Sequence, residues 1–282
     1  MYNSLKVSKA VIPAAGLGLR MQPMSRIVPK ELLPVGRLPM LHYALSEAVA
    51  AGATEIFIIV DENKKPWLVD FYAGAEWKNL LLYQSESEYN RRLTNIEITF
   101  IEQKQMKGVY HAVTLSKKHI GSEPFLLLMP DNVYFGDSPI SSALIKCFTE
   151  YKKNVIGLKE VKKQEAELFG NSGRITYRLL ENGVYEILTL HDKSAGTFQT
   201  GNAECAIRAC GRCVLGPDFF EEAEKISKER LQKHDEVPIL QNLVRKKNML
   251  GVLLKGQLFD CGHWKGYWAA NQFWMQKNTT CS

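Results

Sequence analysis

The chain predicts an α/β fold, a mixed but mostly parallel central sheet flanked by helices. Three observations carry that prediction. Apolar runs of strand length alternate with helix-period segments through the first half. The first run, Lys9–Pro13, passes directly into a glycine turn, Ala14-Ala-Gly-Leu-Gly18, and not into a hairpin. A later run ends at Met129-Pro-Asp131, which puts a carboxylate at the edge where open α/β sheets bind ligands.

Lys9–Pro13, Glu55–Val60, Ile96–Phe100, Pro124–Met129 and Val155–Leu158 read as buried strands in chain order, followed by Tyr185–Leu190, Ala206–Leu215 and Met249–Leu254. Between the first two, Pro39–Ala51 sets Leu41, Ala44, Leu45 and Ala48 on one helical face. It stops at Gly52, a helix-terminating glycine, so Leu38–Gly52 serves as a right-handed crossover. Pro66–Tyr72 and Gly108–Lys118 predict further helices, and Tyr83–Leu93 a polar surface excursion. In the second half, Ile175–Leu180 and Tyr185–Leu190 flank Glu181-Asn-Gly183, a hairpin turn. Helices follow at Pro217–Lys228 and Val237–Lys247. No repeat or low-complexity linker divides the 282 residues, which read as one continuous domain.

Composition narrows the function. Hydrophobic residues at 45% and charged residues at 23% are ordinary for a globular chain that buries a core. The net charge of +6 suits anionic ligands, yet the lysines are scattered. Pairs such as Lys117-Lys118 and Lys246-Lys247 read as solvated faces, so nucleic acid is not the expected partner. No run approaches the roughly 20 apolar residues that cross a bilayer, and the N-terminus does not read as a signal peptide. Six cysteines without secretory features suggest reduced thiols and a cytoplasmic protein. Cys210-Gly-Arg-Cys213 has zinc-like spacing, but it lies in a strand, where positions three apart face opposite sides.

The glycine turn is the first candidate site. Gly16 and Gly18 let backbone approach a ligand with no Cβ in the way. Alone they fit an ordinary strand–loop turn, and the phosphate-loop pattern with Gly-Lys-Ser/Thr is absent. Arg20 and Lys30 change the balance, because two cations flank a loop suited to the phosphates of a nucleoside triphosphate. Asp131 at a strand end is a natural Mg²⁺ ligand; a turn cap is the alternative reading. Asp260, in Phe259-Asp-Cys-Gly262, is a second candidate ligand of the same ion or a β-turn aspartate.

These pieces together resemble one family, the bacterial glucose-1-phosphate uridylyltransferases (UDP-glucose pyrophosphorylases) within the sugar-nucleotide pyrophosphorylases. The resemblance runs from about Lys9 to Ala270 and is strongest over Ala10–Ile58, with Pro29-Lys-Glu-Leu-Leu-Pro34 and Ala51-Gly-Ala-Thr-Glu-Ile56. Lys107-Gly-Val-Tyr-His-Ala-Val113, Pro130-Asp131 and Phe259-Asp-Cys-Gly262 recur in the family's order. The resemblance implies a Rossmann-like nucleotidyltransferase fold with a nucleotide half (about 1–135) and a sugar-phosphate half (about 136–282). It implies transfer from a nucleoside triphosphate, UTP first, to a sugar 1-phosphate, glucose 1-phosphate first, with release of pyrophosphate. By the same resemblance Ala14, Ala15 and Gly16 line the nucleobase through their backbone, while Gln103 reads its edge and Gly108 packs on it. Arg20 and Lys30 hold the triphosphate, and Asp131 and Asp260 bind Mg²⁺. Gly173 admits the sugar, Asp192 grips its hydroxyls, and Lys193 holds its phosphate. A homo-oligomer, dimer or tetramer, is also implied.

The departures fall around base and sugar. Leu19 replaces the threonine before the loop arginine, Tyr110 a small residue, and Asp192-Lys193-Ser194 the Glu-Lys-Pro triplet. The Ser-Asn-Leu-Ala run before Gly211-Arg212 is not recognisable, although Asn202 and Glu204 lie nearby. They leave open another sugar or cyclitol phosphate, another nucleotide such as dTTP or CTP, or a non-catalytic nucleotide-sugar-binding regulator. His111 and His263 lie near the site, but an anionic phosphate nucleophile needs no acid–base histidine. His111 is expected to pack on a helix face, and Trp264, Tyr267 and Trp268 to pack against apolar neighbours.

Overall fold

Buried parallel strands carry near-continuous apolar sequence, and here they form where that sequence occurs. The computed structural model describes residues 6–74, 76–80, 96–170, 172–193, 195–226 and 235–279. The polar stretch 83–93 and Ser194 lie outside the described residues. β1 (Lys9–Pro13), β2 (Pro34–Val35) and β3 (Leu38–Pro39) are followed by α1 (Met40–Ala50) and β4 (Glu55–Val60). Next come α2 (Lys65–Ala73), β5 (Glu97–Glu102), α3 (Gly108–Leu115), α4 (Lys117–Ile120), β6 (Phe125–Leu128) and β7 (Asn132–Phe135). The second half contains α5 (Ile140–Tyr151), β8 (Asn154–Lys162), β9 (Ile175–Leu179), β10 (Val184–Leu190) and β11 (Cys205–Leu215). It ends with α6 (Asp218–Lys225), α7 (Val237–Arg245), β12 (Met249–Leu253), β13 (Gln257–Asp260) and α8 (Trp264–Thr279).

The main sheet has nine strands in the order β5-β4-β1-β6-β11-β8-β12-β10-β9. β5, β4, β1 and β6 are mutually parallel. β11 turns antiparallel to both β6 and β8, β12 runs with β8, and β10 opposes β12 and β9. Only β10 and β11 therefore run against the common direction, and the ends of β1, β4, β5 and β6 open on one edge. That edge holds the glycine turn, Gln103 and Asp131.

Alternation along each strand divides the core in two. Ala10 and Ile12 of β1 face the layer that contains α1 and α5, whereas Val11 faces the layer of α3, α6 and α7. Cys210 and Cys213 likewise fall in opposite clusters, as strand geometry requires of positions three apart. α1 ends as its glycine predicts. Gly52 takes φ +103, its N–H reaches Val49 O at 3.0 Å, and Ala53 N–H reaches Ala48 O at 3.0 Å. The Glu181–Gly183 hairpin also forms, with Asn182 and Gly183 at φ 51 and 75.

Four features differ from expectation. The helix expected over Gly108–Lys118 breaks at Ser116, whose hydroxyl turns back to Val113 O at 2.7 Å, so α3 and α4 are separate. α5 and α8 were not foreseen. α8 carries tryptophan, tyrosine and phenylalanine around its circumference and a glycine inside, which hides helical periodicity. Gly266 is required there, because a Cβ would strike the carbonyls of Asp260 and Leu168. The aromatic trio only partly packs: Trp264 contacts Tyr267 and Trp268, but Trp268 is 62% exposed.

Candidate active site

The loop after β1 is anchored from beneath. Ala14 and Ala15 are buried, and Ala14 N–H donates to Ile59 O at 2.7 Å, continuing the ladder past the strand end. Gly18 sits at φ +64, and its carbonyl accepts from Ser25 Oγ at 2.8 Å. A turn over Leu19–Met21 then presents Arg20, and a second over Lys30–Leu32 presents Lys30. Under the loop, Lys64 Nζ donates to Ala14 O at 3.0 Å and also to Gly16 O. The same ammonium lies 3.1 and 2.9 Å from the two carboxylate oxygens of Glu31. Both side chains are buried, so the carbonyls are held inward by a charge pair hidden from water. Gly16, Gly18, Arg20, Lys30, Met106 and Gly108 border a cavity of about 350 Å³ over this loop.

β-sheet register brings the two aspartates together. β7 pairs with β13 so that Asn132 faces Asp260, and Cys261 N–H closes on Asp131 O at 2.7 Å. Asp131 Oδ2 accepts from Lys30 Nζ at 2.6 Å and Oδ1 from Asn132 Nδ2 at 3.0 Å. Burial pushes the Asp131 carboxyl up, but Lys30, Arg20 and the Asn132 bond outweigh it and hold it below its ordinary range. Burial likewise lowers Lys30, and Asp131 and Glu31 reverse the shift. Asp260 Oδ2 accepts from Gly170 N at 2.8 Å and Oδ1 from Gly262 N at 3.1 Å.

One point measures how closely these groups converge. A Cβ on Gly262 would meet Arg20 Nη2 at 2.7 Å, Asp131 Oδ2 at 2.9 Å and Asp260 Oδ1 at 3.0 Å. Two hard carboxylate oxygens and a guanidinium thus enclose a space that only hydrogen leaves open. This donor set fits a divalent cation that takes part of its shell from protein carboxylates and the rest from phosphate and water. No cluster of three or more histidine, cysteine or acidic side chains suited to a metal occurs among the described residues.

A second cavity of about 420 Å³ begins at Arg20, Asp131 and Asp260 and ends at Lys193 and Glu236. Its wall between them includes Ile156, Leu190 and Leu240. Lys193 Nζ lies 2.8 and 3.0 Å from the Glu236 oxygens. Burial lowers the Lys193 ammonium, and Glu236, Asp235 and Asp131 raise it further than that. Asp192 stays outside this cavity: it is exposed, and its Oδ1 accepts from Gln241 Nε2 at 2.8 Å. Gly173 takes φ +75, and a Cβ there would strike the carbonyls of His191 and Asp192. Chain packing alone therefore requires glycine at that position. A larger groove of about 1090 Å³ beside β5 holds none of the predicted site residues.

Gln103 is buried at the end of β5, with its backbone N–H on Val60 O at 2.7 Å. Its Nε2 donates to Gly108 O at 3.1 Å and to His111 Nδ1 at 2.9 Å. A neutral His111 with its proton on Nε2 is the acceptor in that bond, so this histidine orients Gln103 and does more than pack. Sequence reasoning also missed Glu31, Lys64 and Arg208. For Glu31 there was a signal, an acid inside the apolar run Glu31-Leu-Leu33. Lys64 carried none, since its partner lies 33 positions away.

Comparison with known proteins shows the family and the fold. The profile of the family described as "Nucleotidyl transferase" matches residues 9–277. A UTP–glucose-1-phosphate uridylyltransferase of Pseudomonas aeruginosa is 27% identical over 277 residues, covering 95% of each chain. The UTP–glucose-1-phosphate uridylyltransferase 2 of Staphylococcus saprophyticus is 29% identical over 269 residues, covering 93% of this chain and 90% of that one. Among solved structures, a UDP-glucose pyrophosphorylase complexed with UDP-glucose superimposes with a TM-score of 0.80 at 27% identity, over 97% of this chain and 100% of that one.

Proposed function

Because the chain belongs to the nucleotidyl transferase family, we propose that it transfers the uridylyl group of UTP to glucose 1-phosphate, forming UDP-glucose and pyrophosphate. The observation that carries this reading is the convergence of Arg20, Asp131 and Asp260 at the junction of two cavities. The loop cavity takes the nucleotide and the second takes the acceptor, so residues 1–135 serve the nucleotide and 136–282 the sugar phosphate. The backbone of Ala14, Ala15 and Gly16, with Gln103 and Gly108, borders the base. Lys193 draws the acceptor phosphate toward the junction as a point charge.

An oxygen of the sugar phosphate, already anionic near neutral pH, attacks the α-phosphorus. A new P–O bond forms as the bond to the pyrophosphate oxygen breaks, and no proton transfer is required. Arg20 and Lys30 neutralise the departing pyrophosphate, and the rigid loop holds the triphosphate in line. Asp131 and Asp260 would hold Mg²⁺, which supplies charge neutralisation to the reacting phosphates. Positioning and preorganised charge account for the catalysis.

A second reading rests on Asp192. With its carboxylate exposed and held by Gln241, the hydroxyl-reading group the resemblance implies lies off the acceptor cavity. That favours another acceptor, or another nucleotide, on the same chemistry. No helix among the described residues is long and apolar enough to cross a membrane; the reading places the protein in the cytoplasm as a homodimer or homotetramer.

A panel of UTP, dTTP and CTP against sugar and cyclitol 1-phosphates, scored by pyrophosphate release with and without Mg²⁺, tests both readings. Release confined to UTP with glucose 1-phosphate supports the first, and a different productive pair the second. UDP-glucose binding with no Mg²⁺-dependent release from any pair would leave a non-catalytic binding protein.

A further inference from the structure

β11 contributes two buried arginines to one face of the sheet. Ala206, Cys210 and Val214 mark that face by joining a single core cluster. Arg212 is fully buried. Its Nε donates to Glu47 Oε2 at 3.0 Å and its Nη1 to Met129 O at 3.1 Å. Arg208 is 3% exposed and lines the acceptor cavity. Its Nε donates to Ser172 Oγ at 2.8 Å, the one hydrogen bond its guanidinium makes among the described residues. Nη1 is buried without a partner among them. Nη2 stands 3.7 Å from Asp260 Oδ2, an ion-pair distance beyond hydrogen-bond reach. That oxygen already accepts from Gly170 N.

A guanidinium offers five N–H donors, and burying even the two on one nitrogen unsatisfied is costly unless a ligand brings acceptors. The cavity wall beside Arg208 meets the junction where the phosphates must react. The Phe169 ring lies under the guanidinium, its centroid 4.8 Å from the guanidinium carbon. A planar fork matches two oxygens of a phosphate. Of the other two cations that line the cavity, Arg20 and Lys193, Lys193 is already engaged by Glu236 on both carboxylate oxygens. A cation drawn to Asp260 would also take up the charge that now partly balances Arg208.

We propose that Arg208 is a substrate-binding residue of the acceptor cavity, its guanidinium holding the phosphate of the sugar 1-phosphate beside Asp260. The proposal rests on the acceptor reading of this cavity. It makes the cavity selective for a phosphate monoester over the free sugar, and it adds to the site a residue from the segment where family likeness is lost.

Arg208→Met and Arg208→Lys separate this role from simple neutralisation of Asp260. Glucose 1-phosphate and UTP are titrated separately by calorimetry without divalent cation, and initial rates are then measured with Mg²⁺. Loss of a charge-assisted bond predicts at least about tenfold weaker glucose 1-phosphate binding by Arg208→Met, with UTP binding changed by less than about twofold. KM for the sugar phosphate rises while KM for UTP holds, and Arg208→Lys is intermediate. Unchanged glucose 1-phosphate affinity, or equal losses for both ligands, would overturn the proposal. If Arg208→Met does not fold, the lysine variant decides by the same ligand contrast. A wild-type chain that binds UTP but not glucose 1-phosphate would instead overturn the acceptor reading, and this proposal with it.

Discussion

Lys30 Nζ lies 2.6 Å from Asp131 Oδ2. The cation proposed for the triphosphate and the carboxylate proposed for the metal neutralise each other. Neither side chain is left as an isolated charge in a largely buried place, which would be costly. On the proposed reading, a metal–nucleotide complex would exchange this pair for two new ones, ammonium with phosphate and carboxylate with cation, without stranding either partner.

The first prediction concerns Asp131. Asp131→Ala should lower turnover by at least about a hundredfold, the scale for losing a strong electrostatic stabiliser. Asp131→Asn tests stability separately. The folded-state pKa of Asp131 lies below 3.8. Its stabilising contribution is therefore complete above the unfolded value and is lost as pH falls through the folded one. Acid unfolding followed by circular dichroism should show wild type losing its advantage over Asp131→Asn below about pH 4. Near-normal turnover by Asp131→Ala would remove this carboxylate from the proposed chemistry.

Lys64 tests how the glycine loop is held. Lys64→Met strands a Glu31 that is 1% exposed and deprives the carbonyls of Ala14 and Gly16 of their donor. Breaking a buried pair by removing one partner costs about 3–5 kcal/mol. Chemical denaturation should find that cost reduced in Lys64→Met/Glu31→Gln, because the double variant leaves no stranded charge. KM for UTP should rise at least about tenfold and by more than KM for the sugar phosphate, since the loop borders the nucleotide cavity and only Arg20 of it reaches the acceptor cavity. Additive destabilisation in the double variant would refute the pairing.

How much of this the sequence disclosed depends on the range of the interaction. β1 and β4 were read at their observed bounds because buried parallel strands carry their signal locally. Gly52 and Asn182-Gly183 were legible because backbone geometry restricts residue choice there. Asp131 and Asp260 were found as separate carboxylates at strand ends; their convergence depends on the β7–β13 register, which no local pattern encodes. Lys64 with Glu31, and Arg208 with Asp260, pair across long chain separations, so these partnerships appear only in three dimensions. Gly173 shows the opposite hazard. It matched a family position, yet the carbonyls of His191 and Asp192 already account for its glycine.

With Gln103 reading the base as proposed, His111 should give nucleotide binding a pH dependence. Burial, and then Lys107, lower its pKa below 6.5, so the neutral ring that accepts from Gln103 dominates at neutral pH. Protonation would set an N–H of His111 against the Gln103 amide and release it. Because the folded value is depressed, the contribution is full above about pH 6.5 and fades as pH falls through the folded value. UTP affinity measured from pH 8 down to pH 5 should weaken at the acid end in wild type and stay flatter in His111→Gln. Parallel profiles would separate this histidine from base recognition.

Gly262 offers the sharpest test of the junction. Its φ lies outside the left-handed region, so alanine strains no backbone there. The added Cβ would stand 2.7 Å from Arg20 Nη2, 2.9 Å from Asp131 Oδ2 and 3.0 Å from Asp260 Oδ1. These are the mobile ends of side chains, so they yield and the chain still folds, but the three groups no longer converge. Gly262→Ala should keep its melting temperature within a few degrees of wild type, an effect of about 1 kcal/mol or less. Its turnover should fall by about a hundredfold, because small displacements of reacting groups cost that much. If Gly262→Ala turns over like wild type, catalysis does not depend on the packing of Arg20 between the two aspartates.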